Sequence, residues 1–196
     1  MKKKLLITGF EPFGKDEVNP SWEAVSRLED IIGDYELTKL RVPVIFGTAA
    51  EQVLSAAETL APDMILCIGQ AGRRKAVTPE RVAINLRDAS MKDNAGNQPM
   101  DEPVAPEGPA AYFASVPVRK MVNAVKGNNI PCEFSYSAGT YVCNDLFYTL
   151  RHHYNGTETG VGFIHVPYLP EQAPEGAFSM PLETIVRALS IAVEVM

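Results

Sequence analysis

The segment Gly139-Thr140-Tyr141-Val142-Cys143-Asn144-Asp145 puts a cysteine at the start of a run in which Val142, Leu146, Leu150 and Tyr154 recur at helical spacing. The first N–H groups of a helix have no partner inside it and carry partial positive charge, so a thiolate is favoured there over a thiol. A sulfur so placed is a candidate nucleophile for acyl transfer. The same letters also suit a buried structural thiol, because free cysteines are among the residues most often buried.

A cysteine nucleophile needs an imidazole to take its proton, and a third group helps to fix that imidazole's tautomer. The chain has three histidines. His152 and His153 lie about 14 Å or more along the helix that begins near Cys143, out of reach of its first turn. His165 ends the apolar run Val161-Gly162-Phe163-Ile164 and is the preferred base, with a core histidine bonded to a backbone carbonyl as the alternative. For the third group Glu80 stands beside a segment where Val82, Ile84 and Leu86 alternate with Arg81, Ala83 and Asn85. Asp88, Asp93 and Asp145 compete with it, and a solvated carboxylate remains the plain reading of each.

The elements that must position these residues are legible from periodicity. Residues 4–9 read as a buried strand that runs into the loop from Gly9 to Gly14. Asn19 is an N-cap and Pro20 the first residue of a helix striped by Trp22, Val25, Leu28 and Ile32 and closed by Gly33. A strand over 35–44 precedes a helix that opens on a Thr48/Glu51 capping-box pattern, and Met64–Ile68 is apolar throughout, as a central strand requires. Residues 88–108, rich in Asp, Asn, Gly and Pro, read as a long surface loop. Ser115-Val116-Pro117 opens a further helix bearing Val118, Met121, Val122 and Val125, after which Cys132, Phe134 and Tyr136 alternate. A strand at 161–166 and a last helix capped by Ser179 complete the chain.

Strands and helices alternate, so the expected fold is α/β, a three-layer α/β/α sandwich with a mostly parallel mixed sheet, formed by residues 1–196 as one domain. In such sheets ligands bind outside the carboxyl ends of the strands. The loop from Gly9 to Gly14, Gly69-Gln70-Ala71-Gly72, the turn from Ser137 to Cys143, and His165 all fall at such ends. Gly69-Gln70-Ala71-Gly72 matches neither GxGxxG nor a Walker sequence.

Composition narrows the classes. Hydrophobic residues make up 46% and charged residues 21%, an ordinary globular balance. A formal charge of -6 argues against nucleic acid as partner, and Arg73-Arg74-Lys75, the densest basic group, reads as a solvated loop. Lys2-Lys3-Lys4 leads into an apolar run too short for a signal peptide or a membrane span. Three cysteines with no CxxC pair fit a reducing cytoplasm better than a disulfide framework.

Several strings carry a more specific signal: Ile7-Thr8-Gly9-Phe10-Glu11-Pro12-Phe13-Gly14, Asn19-Pro20-Ser21-Trp22, Gly69 to Gly72, Glu80 to Asn85, Asp93 to Pro99, Ser137 to Asn144 and Gly162 to Pro170. Together they resemble the pyroglutamyl peptidase I family, the pyrrolidone-carboxylate peptidases, across almost the whole chain. The resemblance implies a cytoplasmic cysteine peptidase, without a cofactor, that hydrolyses the amide bond after an N-terminal pyroglutamyl residue of a peptide and assembles as a homodimer or homotetramer. It implies Cys143 as nucleophile, His165 as base and Glu80 as the group that orients it. Phe10, Phe13 and Tyr141 become the aromatic walls of a lactam pocket, with Asn19 and Gln70 as polar contacts. Core packing for the aromatics and helix capping for Asn19 remain alternatives.

The sequence departs from the family's pattern at three places. Lys15 stands where a second glycine is common, Ser90 where many bacterial relatives carry an arginine thought to assist near the active site, and Asp145 where a histidine often follows the Cys-Asn pair. Asp145 would raise the Cys143 pKa if its side chain points inward, and Arg87 is a candidate substitute for the missing arginine. These departures leave open a noncatalytic protein that binds pyroglutamyl or related peptides. A hydrolase of small molecules or nucleosides fits less well, since glycosidic chemistry more often uses paired carboxylates or a metal.

Overall fold

The computed structural model describes residues 2–196. Its main sheet contains β1 (Lys3–Phe10), β2 (Ile31–Ile32), β3 (Tyr35–Val42), β4 (Met64–Gln70), β5 (Thr78–Pro79) and, last in the chain, β8 (Gly160–Val166). Their spatial order is β2-β3-β1-β4-β8-β5. The four central strands are parallel, and the two short edge strands are antiparallel to their neighbours. A separate two-stranded ribbon pairs β6 (Val82–Ile84) with β7 (Ala111–Phe113).

Alternation along the strands sorts the core onto two faces. Leu5 and Ile7 of β1 and Leu66 and Ile68 of β4 pack with α1 (Pro20–Ser26), α3 (Val118–Gly127) and α5 (Leu182–Glu194). Leu6, Ile65 and Cys67 point the other way, against α2 (Thr48–Leu60) and α4 (Val142–His153). Helices thus cover both faces of a mostly parallel sheet, as strand–helix alternation predicts, and among the described residues no helix is long and apolar enough to cross a membrane.

Local punctuation differs from the sequence reading at several ends. Helix α1 stops at Ser26, and Ile32, expected on its stripe, lies in β2; Gly33 at φ 54° turns that strand into β3. Thr48 is the first residue of α2, not its cap: the N-cap position is Gly47, with no side-chain bond, so the capping-box pattern is not used. Helix α5 begins at Leu182 behind Pro181, three residues beyond the Ser179 expected to cap it. Cys132 and Ser135 form only isolated bridges, to Val77 and Glu80, so the alternation there makes no full strand. Phe178, in the segment before α5, packs partly buried against the core.

One contact fixes how α1 meets the sheet. Gly9 sits near the end of β1 where a Cβ would come within 2.7 Å of Trp22 Cα and 2.8 Å of Ser21 backbone atoms. The Ser21 hydroxyl accepts from Phe10 N at 2.9 Å, so α1 is held at that distance by a hydrogen bond as well as by the missing side chain. Gly9→Ala is expected to destabilise the fold by about 1–3 kcal/mol through overpacking against backbone. Chemical denaturation measures it, and an unchanged unfolding midpoint would show that α1 retreats freely.

Candidate functional site

Cys143 is the second residue of α4 and the helix starts abruptly. Tyr141, at the N-cap position, is extended and offers no side-chain cap, and the first intrahelical bond runs from Asp145 N to Tyr141 O at 3.1 Å. The N–H groups of Val142, Cys143 and Asn144 precede that bond and point out of the helix. Gly69 at the end of β4 makes room for the sulfur: a Cβ there would lie 3.0 Å from Cys143 Sγ and 2.9 Å from the Phe163 ring. Gly69 is also in register with His165 on β8. The cysteine, the histidine and the Gly69 loop therefore meet at the carboxyl edge of the sheet.

His165 donates from Nδ1 to Glu80 Oε1 at 2.7 Å, and the ring and the carboxylate are both buried. With Nδ1 committed as donor, Nε2 keeps its lone pair for an incoming proton. Glu80 is placed by its own backbone, whose N–H donates to Phe163 O at 2.8 Å and which bridges to Ser135. The same Oε1 accepts from Arg74 Nη1 at 2.5 Å. That nitrogen also reaches the Thr78 hydroxyl at 2.5 Å, while Nη2 donates to Ser137 O at 2.8 Å. Arg74 belongs to the tract read as a solvated loop; Arg73 and Lys75 are exposed, and the middle residue alone turns inward. Nothing in the run of three basic letters marks which would do so.

Burial sets the protonation states. It pushes the Cys143 thiol up to about 12, reinforced by the negative charge of Glu80 and by Cys67, and Arg74 opposes this only in part. The helix terminus therefore does not yield the thiolate that the sequence predicts: desolvation by the packed Gly69, Phe163 and Cys67 side outweighs it. Burial also holds His165 below its usual 6.5, with Arg74 acting in the same direction against the favourable Glu80 contact. Thiol and imidazole are thus both neutral at rest.

Beside Cys143 lies a small, largely apolar cavity lined by Phe10, Phe13, Asn19, Val44, Gln70 and Tyr141. All five residues named as substrate contacts border it together with the cysteine. Tyr141 packs edge-on to Phe46 at 5.3 Å, and Phe13 lies 6.3 Å from the Tyr141 ring. Val44 and Phe46 were not singled out by sequence reading; they follow β3, whose end at a site-bearing edge is the available signal. Asn19 also caps α1 through Ser21 N and donates to Glu11 O, so its structural work coexists with its place in the wall. Gln70 donates from Nε2 to Asp16 at 2.9 Å, while its Oε1 is buried without a partner among the described residues.

The other carboxylates do different work. Asp93 accepts from the N–H groups of Phe46, Ala95 and Asn97 and folds the 93–97 turn, and Asp88 is exposed. Asp145 is fully buried but does not face the thiol: Oδ1 accepts from Arg87 Nε and Nη2, each at 2.6 Å, and Oδ2 from Gly47 N at 2.8 Å. Its charge is neutralised in place, and it is not among the groups that shift Cys143. Arg87 is consequently engaged and does not substitute for an arginine at Ser90, which is exposed. Asn144, given no role of its own by sequence reading, ties α4 to the β6 ribbon through Ile84 N, Ile84 O and Leu86 O. Among the described residues no cluster of three His, Cys, Asp or Glu side chains is arranged to hold a metal.

The family model described as Pyroglutamyl peptidase matches residues 3–196. The chain is 49% identical to the pyrrolidone-carboxylate peptidase of Bacillus subtilis over 98% of its length and 91% of the relative's. It is 50% identical to that of Vibrio vulnificus over 96% and 90%. The crystal structure of Bacillus amyloliquefaciens pyroglutamyl peptidase I superposes with a TM-score of 0.96 at 45% identity, covering 99% of this chain and 96% of the other. The pyrrolidone carboxyl peptidase of Thermococcus litoralis gives 0.93 at 37% identity, covering 98% and 92%.

Arg87→Ala would strand the buried Asp145 carboxylate and is expected to cost about 3 kcal/mol. Adding Asp145→Asn to that variant should recover part of the loss, as read by the denaturation midpoint. Equal stability of Arg87→Ala and wild type would mean that the pair is energetically idle.

Proposed function

The chain belongs to the pyroglutamyl peptidase family, and from that premise we propose that it is a cysteine exopeptidase releasing N-terminal pyroglutamate from peptides, with Cys143, His165 and Glu80 as its catalytic residues. The observation that carries this reading is the cavity beside Cys143. It is apolar and compact, suited to a neutral lactam ring and hostile to a charged free N-terminus. Gln70 Oε1, buried and unpartnered, supplies an acceptor for the lactam N–H, and the Asp16 contact on Nε2 keeps the amide turned that way.

In the reaction, Sγ of Cys143 attacks the pyroglutamyl carbonyl carbon while its proton passes to His165 Nε2. The carbonyl π electrons move onto oxygen, and the free N–H groups at the start of α4 meet the charge that develops there. Collapse of the tetrahedral intermediate breaks the C–N bond, and the imidazolium returns its proton to the departing amine. Water, deprotonated by the same nitrogen, then attacks the thioester; pyroglutamate leaves and the thiol is restored. Glu80 holds Nδ1–H throughout and stabilises the imidazolium. Starting from a neutral pair, the enzyme has to move the proton as the S–C bond forms. No ion pair stands ready beforehand.

The same reading takes residues 1–196 as one domain, acting in the cytoplasm as a homodimer or homotetramer. Met91, Met100 and Phe113 supply exposed apolar surface of the kind an assembly covers.

Under reducing conditions the protein is expected to release the chromophore from a pyroglutamyl amide and to leave a proline amide intact. Cys143→Ala should lower the rate roughly 10⁴-fold or more; equal release by the variant would remove Cys143 as nucleophile. Because burial keeps His165 neutral down to pH values below its ordinary 6.5, kcat/KM should stay level from pH 7.5 to about 6.5 and fall only in more acid solution. A decline already complete by pH 7 would contradict a neutral, buried base.

A further inference from the structure

We propose that Arg74 is a positioning residue of the reaction: its guanidinium holds the Glu80 carboxylate as the partner of His165 and joins it to the turn that carries Cys143. The proposal rests on the catalytic reading above and adds a fourth residue to it. Glu80 has no exposed side-chain surface, and its Oε2 has no hydrogen-bond partner among the described residues. All of its stabilisation therefore comes through Oε1, which accepts from both Arg74 and His165.

A neutral imidazole donating one hydrogen bond does not compensate a buried carboxylate, which needs an opposite charge in contact. Arg74 supplies that charge. The groups facing this centre are Arg74 before β5, Glu80 after it, His165 on β8, Cys143 on α4 and Cys67 on β4, and Arg74 is the one permanent cation in the set.

The guanidinium also fixes geometry. One nitrogen contacts Oε1 and the Thr78 hydroxyl, and Thr78 in turn donates to His165 O at 3.3 Å. The other contacts Ser137 O, in the turn that leads through Gly139 to Cys143. A planar fork thus touches the segment bearing the carboxylate and the turn leading to Cys143, and reaches the strand of the base through Thr78, an arrangement that a lysine's single ammonium cannot reproduce.

Without the cation, the Glu80–His165 dyad takes up a proton at higher pH, and the protonated dyad contains no base. Arg74→Gln and Arg74→Ala are therefore expected to lower kcat roughly 10²-fold with KM little changed, and to move the acid limb of the kcat/KM profile to higher pH. Arg74→Lys, which keeps the charge, should restore the wild-type limb while recovering only part of kcat. The imidazole resonances of His165 followed by NMR through the same pH range should show the midpoint raised in Arg74→Gln and not in Arg74→Lys. That measurement needs no turnover, so it separates failure of this proposal from failure of the peptidase assignment. Should Arg74→Ala not fold, Arg74→Gln carries the test. An acid limb and an imidazole midpoint unmoved in the folded Gln variant would overturn the proposal.

Discussion

A carboxylate with no exposed surface has to be neutralised where it lies, and the arrangement of this site follows from how that is done for Glu80. Its single engaged oxygen is shared by a guanidinium and an imidazole. The guanidinium supplies charge, which leaves the imidazole free to stay neutral and basic at Nε2. To reach that oxygen, Arg74 leaves the solvent side of a basic loop and β5 lies antiparallel at the edge of β8. The polypeptide after Ser135 then has to pass close enough to lend a carbonyl. Removing charge from one buried member of such a group leaves the others unpaired, so the centre behaves as a unit.

Burial holds both Cys143 and His165 toward their neutral forms. The sulfur sits in the space a Gly69 side chain would occupy, against Phe163, and that closeness costs the thiolate more than the Cys143 N–H and Arg74 return to it. Of the free N–H groups at the start of α4, that of Cys143 supports its own sulfur, and the rest of the uncapped helix start faces the oxygen of a reacting carbonyl. Resting-state reactivity is exchanged for electrostatic support at the moment charge develops.

The layered fold was legible because it depends on periodicity: Leu5, Leu6 and Ile7 alternate between two faces, and Met64–Ile68 is apolar on both. The ends of elements were less so. Ile32 continues the apolar stripe of α1 by spacing, yet pairs with Tyr35 in a short strand, since a stripe does not encode where the helix stops. Cys143, His165 and five of the residues lining the pocket, Phe10, Phe13, Asn19, Gln70 and Tyr141, stood out because strand ends and local strings marked them. Arg74, Asn144 and the Arg87–Asp145 pair did not, for their meaning lies in partners dozens of residues away. Asp145 shows the difference: two residues from Cys143 in sequence, it spends its charge on Arg87 and its second oxygen on Gly47.

The long loop over 88–108 is fastened to the turn before α4 at two points. The Thr140 hydroxyl donates to Asp88 O while Asp88 N donates to Thr140 O, and the Tyr141 hydroxyl donates to Lys92 O. On the loop side every one of these atoms belongs to the main chain. The attachment is thus made without the side chains of 88 and 92, and the loop can change its chemical character at those positions without coming loose from the turn that leads to Cys143.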